Sequence, residues 1–233
     1  MNFHIMTLFP AMVEAVCSES IIGRAREAGI ISVREYDIRD HANNKHNKVD
    51  DTPYGGGMGM LMAAPPVCEC FDEVVAGIPE DHRRLTVYMS PKGRILDHKT
   101  VKRLSGYDDL IILCGHYEGI DERAIEEIVD EQISIGDYVV TGGELPACIL
   151  VDCVSRLIPG VLADSVCYED ESIASGLLEY PQYTRPYRYR GKTVPDVLLS
   201  GHHENVAKWR AEQALKTTEK YRPDLLEKHK NGD

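Results

Sequence analysis

Three short glycine-bearing segments are the first candidates for chemistry in this chain. They are YMSPKG (88–93), CGHYEG (114–119) and IGDYVVTGG (135–143), each within or directly after an apolar run typical of a buried strand. Glycine lets a ligand approach the backbone closely, and ligands of open α/β sheets bind beyond the carboxyl ends of the strands. The three segments together predict one small-molecule pocket, although each alone is also compatible with an ordinary tight turn.

The glycine signals do not match a nucleotide-binding fingerprint. No G-x-G-x-x-G follows a strand pattern, and no G-x-x-x-x-G-K-[ST] occurs. A further stretch, DTPYGGGMGMLM (51–62), holds four glycines within 55–59 but no lysine that could neutralise a phosphate. We interpret 51–62 as a segment that wraps a substrate or fits against another part of the backbone.

Tyrosines and basic residues alternate in YPQYTRPYRYRGK (180–192). Arginine binds phosphates and tyrosine stacks on bases, a combination suited to single-stranded or looped RNA. A hydrophilic hairpin with half-buried tyrosines is the alternative. Further basic residues on the following helical pattern favour RNA, namely Lys208, Arg210 and Lys216.

Carboxylates and an arginine are candidates for proton transfer. Glu169, Asp170 and Glu171 lie in the weakly periodic stretch 161–176, and Arg156 precedes it near the end of a helical pattern. A carboxylate can take the proton of a weakly acidic ring nitrogen if an arginine stabilises the negative charge that develops. An acidic linker that is merely solvated gives the same pattern.

Charge is distributed unevenly along the chain. The 233 residues carry 26 Lys and Arg against 38 Asp and Glu, a net charge of −12. Residues 118–144 hold nine acids and one base, whereas 181–233 hold eleven bases and seven acids. The total therefore disfavours a polyanionic partner, but the C-terminal segment favours one.

Composition also indicates the class and compartment of the protein. The 43% of hydrophobic residues exclude a disordered chain. A membrane protein is also excluded, because 27% of the residues are charged and no apolar run approaches the roughly 20 residues that span a bilayer. The N-terminus does not have the pattern of a signal peptide. The seven scattered cysteines are expected to be reduced core thiols. These features predict a cytoplasmic protein.

Strand and helix patterns alternate along the first 160 residues. Strands are predicted at 4–9, 32–38, 85–90, 109–115 and 132–140, and helices at 11–28, 66–76, 97–105, 121–131 and 143–158. This alternation predicts an α/β domain with a mostly parallel sheet over 1–160. We expect a linker at 161–175 and a small all-helical domain at 176–233, in which 203–221 is the clearest helix.

Eight segments of the chain together resemble a known family. They are IMTLFPAM (5–12), DTPYGGGMGMLM (51–62), SPKG (90–93), CGHYEGIDER (114–123), ISIGDYVVTGGELPA (133–147), SRLIPGVL (155–162), GLLEYPQYTRP (176–186) and VPDVLLSGHHENVAKWR (194–210). In this order they resemble bacterial tRNA (guanine-N1)-methyltransferase, which methylates the guanosine immediately 3′ of the anticodon, position 37. The resemblance implies a SPOUT-type fold whose sheet ends in a deep trefoil knot, a helical tRNA-binding domain and a homodimer.

The resemblance places the methyl donor, S-adenosylmethionine, on the three glycine-bearing segments. The implied contacts are Tyr88, Met89, Ser90, Pro91, Gly115, Tyr117, Glu118, Gly119, Ile135, Gly136, Asp137, Tyr138, Val139, Val140, Gly142 and Gly143. The tRNA is expected to contact Arg185, Arg188 and Arg190.

The resemblance also assigns the catalytic groups. A linker aspartate followed by a serine is the base of the family, and an arginine at the position of Arg156 assists it. In this chain Glu171 takes the place of the aspartate, next to Ser172, and Asp170 lies one residue earlier. We expect Glu171 to accept the proton, with Asp170 as the alternative. The reaction of the family is helped by Mg²⁺, for which Glu118 is a candidate contact.

Overall fold

The computed structural model describes residues 1–162 and 176–226, and the chain divides into two compact units, Met1–Asp164 and Ser165–Asp233. The first unit contains, in chain order, β1 (Asn2–Thr7), α1 (Pro10–Cys17), α2 (Ser20–Glu27), β2 (Ser32–Asp37), a 3₁₀ helix (Ile38–His41), β3 (Asp50–Asp51), β4 (Leu61–Met62), α3 (Ala64–Ala76), β5 (Arg84–Ile95), α4 (His98–Leu104), β6 (Asp109–Cys114), α5 (Glu122–Ile128), β7 (Glu131–Ser134) and α6 (Glu144–Ser155).

Five of these strands form one sheet in the order β2-β1-β6-β5-β7. Every neighbouring pair in it is parallel. Parallel neighbours need crossover connections, and here helices provide them. The prediction of an α/β fold with a mostly parallel sheet is confirmed.

The central strand β6 shows why the sequence folds in this way. Leu110, Ile112 and Cys114 belong to one apolar cluster, whereas Ile111 and Leu113 belong to a second. Successive side chains of a strand point to opposite faces, so a continuous apolar run fits a strand that is covered on both sides. Helices α1, α2, α4 and α6 contribute to the first cluster, and α3 and α5 to the second.

The segment predicted as one helix at 11–28 is two helices. Helix α1 ends at Cys17 and α2 begins at Ser20, whose φ of 56° is left-handed. Gly23 permits this break, because a Cβ there would overlap the carbonyl oxygen of Ser18. The helical region ends at Glu27, one residue before the predicted end at 28, and Gly29 just beyond it has a φ of 70°.

Strands β5 and β7 also differ from prediction. The strand predicted at 85–90 extends over Arg84–Ile95, while the strand predicted at 132–140 ends at Ser134. Ile133 pairs with both Met89 and Arg94, so residues 90–93 bulge out of the sheet. The first glycine-bearing segment is therefore fixed to β7 at both of its ends.

A buried carboxylate joins the strands at their amino ends. Asp109, at the start of β6, is 1% exposed and accepts hydrogen bonds from Asn2 Nδ2 (3.1 Å), His4 Nε2 (2.7 Å) and His82 Nδ1 (2.6 Å). Burial by itself would raise the pKa of Asp109, but these three hydrogen bonds outweigh it and lower the pKa. The contact with Asp109 in turn raises the pKa of His82.

The second unit contains β8 (Arg188–Tyr189), β9 (Lys192–Thr193), a 3₁₀ helix (Asp196–Leu199) and α7 (His203–Tyr221). The two strands form an antiparallel hairpin, so the prediction of an all-helical domain was wrong in this respect. The helix predicted at 203–221 is confirmed as α7. The amide of Leu178 donates a hydrogen bond to the hydroxyl of Thr218 on α7 at 2.8 Å, which attaches the start of this unit to the helix.

The cysteines of the described residues are free thiols, and four of them are buried, namely Cys17, Cys70, Cys114 and Cys148. Burial raises the pKa of Cys70 to about 12 and that of Cys114 well above its usual range. Within 1–162 and 176–226 no group of three or more His, Cys, Asp or Glu residues could hold a metal ion. In the same ranges no helix has the length and apolar character needed to cross a membrane.

Candidate functional site

The three glycine-bearing segments meet at the carboxyl edge of the sheet. The first turn (88–93) contains the bulge of β5, the second turn (114–119) extends beyond β6, and the third turn (135–143) follows β7. Together they enclose a cavity of about 210 Å³, which we call the carboxyl-edge cavity. It is lined by Tyr88, Met89, Ser90, Pro91, Gly115, His116, Tyr117, Glu118, Gly119, Ile133, Ser134, Ile135, Tyr138, Val139, Val140, Thr141, Gly142, Gly143 and Pro146.

Glycine is required where the second and third turns touch. The amide of Gly143 donates a hydrogen bond to the carbonyl of Gly115 at 2.8 Å. A Cβ on Gly143 would lie 2.6 Å from Cα of Cys114, and a Cβ on Gly115 would lie 2.7 Å from the hydroxyl of Tyr88. These contacts leave no room for side chains, so the backbone itself forms this part of the wall.

The lining of the cavity combines apolar side chains with backbone polar groups. Met89, Ile133 and Ile135 lie beside Tyr88, which is 7% exposed. Burial, with a smaller contribution from the carboxylate of Glu122, raises the pKa of Tyr88, so its phenol stays protonated. No lysine or arginine occurs among the described lining residues. Such a site favours a flat heterocycle with polar edges over a phosphate.

Fourteen of the sixteen residues expected to contact the methyl donor line this one cavity. The other two, Gly136 and Asp137, belong to the third turn but do not line it. The amide and the carbonyl of Gly136 both bond to the hydroxyl of Ser134, and Asp137 is exposed. The cavity also contains five residues that sequence reasoning missed, namely His116, Ile133, Ser134, Thr141 and Pro146. Three of them, His116, Ser134 and Thr141, directly flank expected residues, so reading each turn as a continuous wall would have found them.

The glycine-rich stretch 51–62 lies against the second turn. The amide of Glu118 donates to the carbonyl of Met60 at 3.0 Å, and the amide of Met62 donates to the carbonyl of Gly119 at 2.9 Å. Gly59, with a φ of 87°, contacts Glu118 so closely that a Cβ there would overlap its side chain. Of the two interpretations of 51–62, the fit against another part of the backbone is therefore observed.

Arg156 lies apart from the carboxyl-edge cavity. It follows α6 directly and lines a second cavity of about 150 Å³, together with residues of α1, α2 and α6 that include Cys17, Ser20 and Asp152. The two cavities share no described lining residue. The two candidate bases, Glu171 and Asp170, lie outside the described residues.

Helices α1 and α6 carry exposed apolar side chains. Met12, Val16, Leu145 and Ile149 are between 41% and 50% exposed. The two residues on each helix are four positions apart and so share one face of it. We call these four residues the α1/α6 apolar face; Val16 also lines the cavity of Arg156.

The predicted RNA-contacting arginines lie in and beside the hairpin of the second unit. Arg185, Arg188 and Arg190 are all exposed. Arg190 and Gly191 form the hairpin turn with φ values of 47° and 79°, the positive values that a short hairpin turn needs. The guanidinium of Arg190 lies 5.3 Å from the ring centre of Tyr189. The hairpin of the alternative interpretation is observed, but its tyrosines Tyr187 and Tyr189 are exposed, and the arginines are accessible as well.

Fold and cavity together define an α/β protein with a cavity at the carboxyl edge of a parallel sheet. The model of the family tRNA (Guanine-1)-methyltransferase TrmD matches residues 1–228. The tRNA (guanine-N(1)-)-methyltransferase of Lachnospira eligens is 55% identical over 229 residues, which cover 98% of this chain and 96% of the relative. The enzymes of the same name from Ruminiclostridium cellulolyticum and Clostridioides difficile are 54% and 50% identical, and each alignment covers at least 98% of both chains. The chain belongs to the tRNA (Guanine-1)-methyltransferase TrmD family.

Proposed function

We propose that this chain transfers a methyl group from S-adenosylmethionine to N1 of the guanine immediately 3′ of the anticodon of tRNA, position 37. Membership of the family supports the reaction. The observation that carries the assignment to a site is the convergence of fourteen expected residues on the carboxyl-edge cavity. The trefoil knot of the SPOUT fold is part of this proposal.

The residues of the cavity fit the methyl donor. Backbone at Gly115 and Gly143 can approach an adenosine closely, and the apolar side chains of Met89 and Ile135 provide surfaces for an adenine ring. The donor is itself a cation at sulfur, which agrees with the lack of lysine and arginine in the described lining. When bound, it supplies an activated methyl group. The role of the protein is then to align the acceptor and to remove its proton.

Proton removal falls to a carboxylate of the segment 163–175. Guanine N1 gives its proton to Glu171, or to Asp170 in the alternative, and its electron pair forms the bond to the methyl carbon as the carbon–sulfur bond breaks. Arg156 would stabilise the negative charge that develops on the guanine. A displacement of the base by about 1 Å can lower the rate about 100-fold, so the choice between the two acids has a measurable consequence.

A homodimer would explain how Arg156 can act at the carboxyl-edge cavity although it lies apart from that cavity within one chain. In one chain Arg156 lines a cavity separate from the site where it is expected to act. The α1/α6 apolar face beside it offers an area that a second copy of this chain can cover. In such a dimer, the arginine of one protomer can serve the carboxyl-edge cavity of its partner.

The tRNA would bind the second unit through the hairpin. Arg185, Arg188 and Arg190 are accessible for phosphates, and Tyr187 and Tyr189 are 50% and 62% exposed for stacking. Because phosphate contacts release counterions, binding should weaken steeply with salt. Mg²⁺ remains a prediction, with Glu118 in the lining as its candidate contact.

Labelled S-adenosylmethionine and two tRNA transcripts test the proposal. The transcripts differ only in whether guanosine follows the anticodon, and we expect label in the guanosine transcript alone. Label in neither would exclude the enzymatic assignment, and equal label in both would exclude the position. Glu171→Ala should abolish turnover while Asp170→Ala retains most of it; the reverse result would assign the base to Asp170.

The surface of tRNA contact is tested by charge removal. Arg188→Ala and Arg190→Ala should each weaken tRNA binding and lower its salt dependence, since each removes a phosphate contact. Lys102→Ala, which removes an exposed cation from α4 in the first unit, is the matched control. Equal effects of the arginine and lysine variants would contradict the assignment to the hairpin.

A further inference from the structure

His116 is the cavity residue for which the proposed function gives no role. It belongs to the second turn, and its ring lies 5.0 Å from the ring of Phe9 and 4.9 Å from that of Tyr117. Its Nδ1 atom is buried and has no hydrogen-bond partner within the described parts of the chain. A buried ring nitrogen without a partner costs free energy, so its surroundings should contain a group that can satisfy it.

The group that can satisfy it is Glu144, the first residue of α6. Glu144 is 2% exposed, and its Oε1 accepts a hydrogen bond from the hydroxyl of Thr7 at 2.7 Å. That hydroxyl in turn accepts from the amide of Phe9 at 2.9 Å, so its own proton is directed to Glu144. Among the described residues, Oε2 of Glu144 has no hydrogen bond. A buried carboxylate with one neutral donor is under-satisfied.

Gly142 brings these two groups together. A Cβ at this position would lie 2.5 Å from Oε2 of Glu144 and 2.9 Å from Nδ1 of His116. Because Nδ1 of His116 has no hydrogen-bond partner, the two atoms do not bond directly in the structure. Two atoms that lie this near one point can be bridged by one water, and glycine leaves that point without a side chain.

The geometry points to a positioning pair in which His116 Nδ1–H donates through one bridging water to Oε2 of Glu144, beside Gly142. The pair links the second turn to the start of α6 and fixes the imidazole in the tautomer protonated at Nδ1. The other ring nitrogen, Nε2, then has a free electron pair, which can accept an N–H or O–H donor of the bound ligand. Glu144 acts only through His116.

This inference rests on the proposed function for the identity of the ligand. S-adenosylmethionine carries an amino group on adenine, two ribose hydroxyls and an ammonium group, all of them donors. A fixed acceptor in the lining therefore adds a specific contact to those that the backbone and the other polar side chains of the wall can make. A hydrogen bond of this kind is worth about a tenfold change in affinity.

Nitrogen-15 NMR of the histidine side chains tests the pair without any ligand. The protein has nine histidines, and the signals of His116 are assigned by their loss in His116→Gln. The wild type should show His116 protonated at Nδ1. In Glu144→Gln the hydroxyl of Thr7 must still donate to the amide oxygen, so the amide NH₂ faces His116 and should move the proton to Nε2. An unchanged tautomer would overturn the pair.

Calorimetric titration with S-adenosylmethionine tests the role. We expect Glu144→Gln to raise Kd about tenfold, because Nε2 changes from acceptor to donor. In a His116→Phe background the same substitution should have no further effect. Equal weakening in both backgrounds would show that Glu144 acts through Thr7 or packing. A reversed tautomer with unchanged Kd would remove the pair from ligand binding.

The two experiments separate this inference from the proposed function. If the wild type bound no S-adenosylmethionine, the proposed function would fail, and the NMR measurement would still decide whether the pair exists. Thr7→Val is the matched control for loss of the hydrogen bond between Thr7 and Glu144. It replaces the hydroxyl by a methyl group of similar size, and we expect the tautomer of His116 to remain that of the wild type.

Discussion

The two edges of the sheet differ in how far their polar groups are hydrogen-bonded within the protein. At the amino edge, Asp109 is sealed from water and holds Asn2, His4 and His82 by hydrogen bonds. At the carboxyl edge, three turns rich in glycine surround a cavity of about 210 Å³. Nδ1 of His116 has no partner among the residues that the structure describes, and Glu144 accepts one hydrogen bond, from Thr7. At the amino edge the carboxylate of Asp109 is fully engaged in internal hydrogen bonds, whereas at the carboxyl edge at least one buried polar atom has no internal partner among the described residues.

The difference suggests a division of labour between stability and binding. Polar groups that are fully satisfied inside the protein stabilise the fold and are unavailable to a ligand. Polar groups and open backbone at the carboxyl edge lower stability slightly and are available. Substitutions at the amino edge should therefore change the free energy of unfolding, and those at the carboxyl edge should change ligand affinity.

The largest expected effect is at the amino edge. Asp109→Ala leaves Asn2 and the partly exposed histidines His4 and His82 without their acceptor, and we expect a loss of about 3 kcal/mol in the free energy of unfolding. Urea denaturation measures it. Asp108→Ala is the control, since Asp108 is exposed and accepts from the amide of Arg83; it should cost about 1 kcal/mol. Equal costs would remove the contrast between a buried and an exposed carboxylate.

The next effect is at the carboxyl edge. Gly143→Ala adds a Cβ at 2.6 Å from Cα of Cys114. The two turns must separate, and we expect Kd for S-adenosylmethionine to rise about 100-fold. Calorimetric titration measures this change. Gly77→Ala, where a Cβ would meet only the carbonyls of the preceding helical turn at 3.5 Å or more, should leave Kd unchanged. Unchanged affinity in Gly143→Ala would mean that the turns tolerate separation.

A smaller effect tests whether a residue at the carboxyl edge that does not line the cavity influences the binding of S-adenosylmethionine. Asp97 follows β5 and caps α4 by accepting from the amide of Thr100 at 2.7 Å, outside the cavity. Asp97→Ala should cost about 1 kcal/mol of stability, whereas Asp97→Asn should cost less. The hydrogen bonds with Thr100 lower the pKa of Asp97. Its contribution is therefore present above the unfolded pKa and is lost as pH falls through the folded one. A changed Kd for S-adenosylmethionine would contradict the separation of cap and cavity.

The smallest effect is a pH dependence at the amino edge. The hydrogen bond with Asp109 raises the pKa of His82, so its stabilising contribution is complete below the unfolded pKa of about 6.5. It is lost as pH rises through the folded pKa. His82→Gln should therefore lower Tm more at about pH 6 than at about pH 9. Thermal melts across this range measure it, and a constant difference in Tm would argue against a charged contact.

The sequence predicts the sheet well because its strands are buried on both faces. A continuous apolar run such as that of β6, set between helical patterns, is typical of a strand covered on both sides. The same logic failed after Ser134. Tyr138, Val139 and Val140 look like a strand in sequence, but they are 56%, 79% and 36% exposed and line the cavity. Apolar residues that line a cavity are indistinguishable in sequence from those of a core.

The hydrophobic pattern of the sequence also did not predict the break between α1 and α2. The residue with left-handed φ at the break is Ser20, and hydrophobic periodicity gives no signal there. The need for glycine at position 23 follows only from the structure, in which the carbonyl of Ser18 lies against it. The convergence of the three turns was predictable, because parallel strands end at one edge. The separation of Arg156 from that edge was not, since it depends on where α6 ends in space.

The bulge of β5 has a consequence for the kinetics of binding. Residues 90–93 leave the sheet, and the residues on either side of them, Met89 and Arg94, both pair with Ile133; Gly93 fits against the backbone of that residue. A loop closed over so few residues has little freedom left to lose. The conformational entropy of this wall is lost when the chain folds, and the ligand meets a surface that is already organised. Association should then proceed in one step, with no slow phase from ordering of residues 90–93.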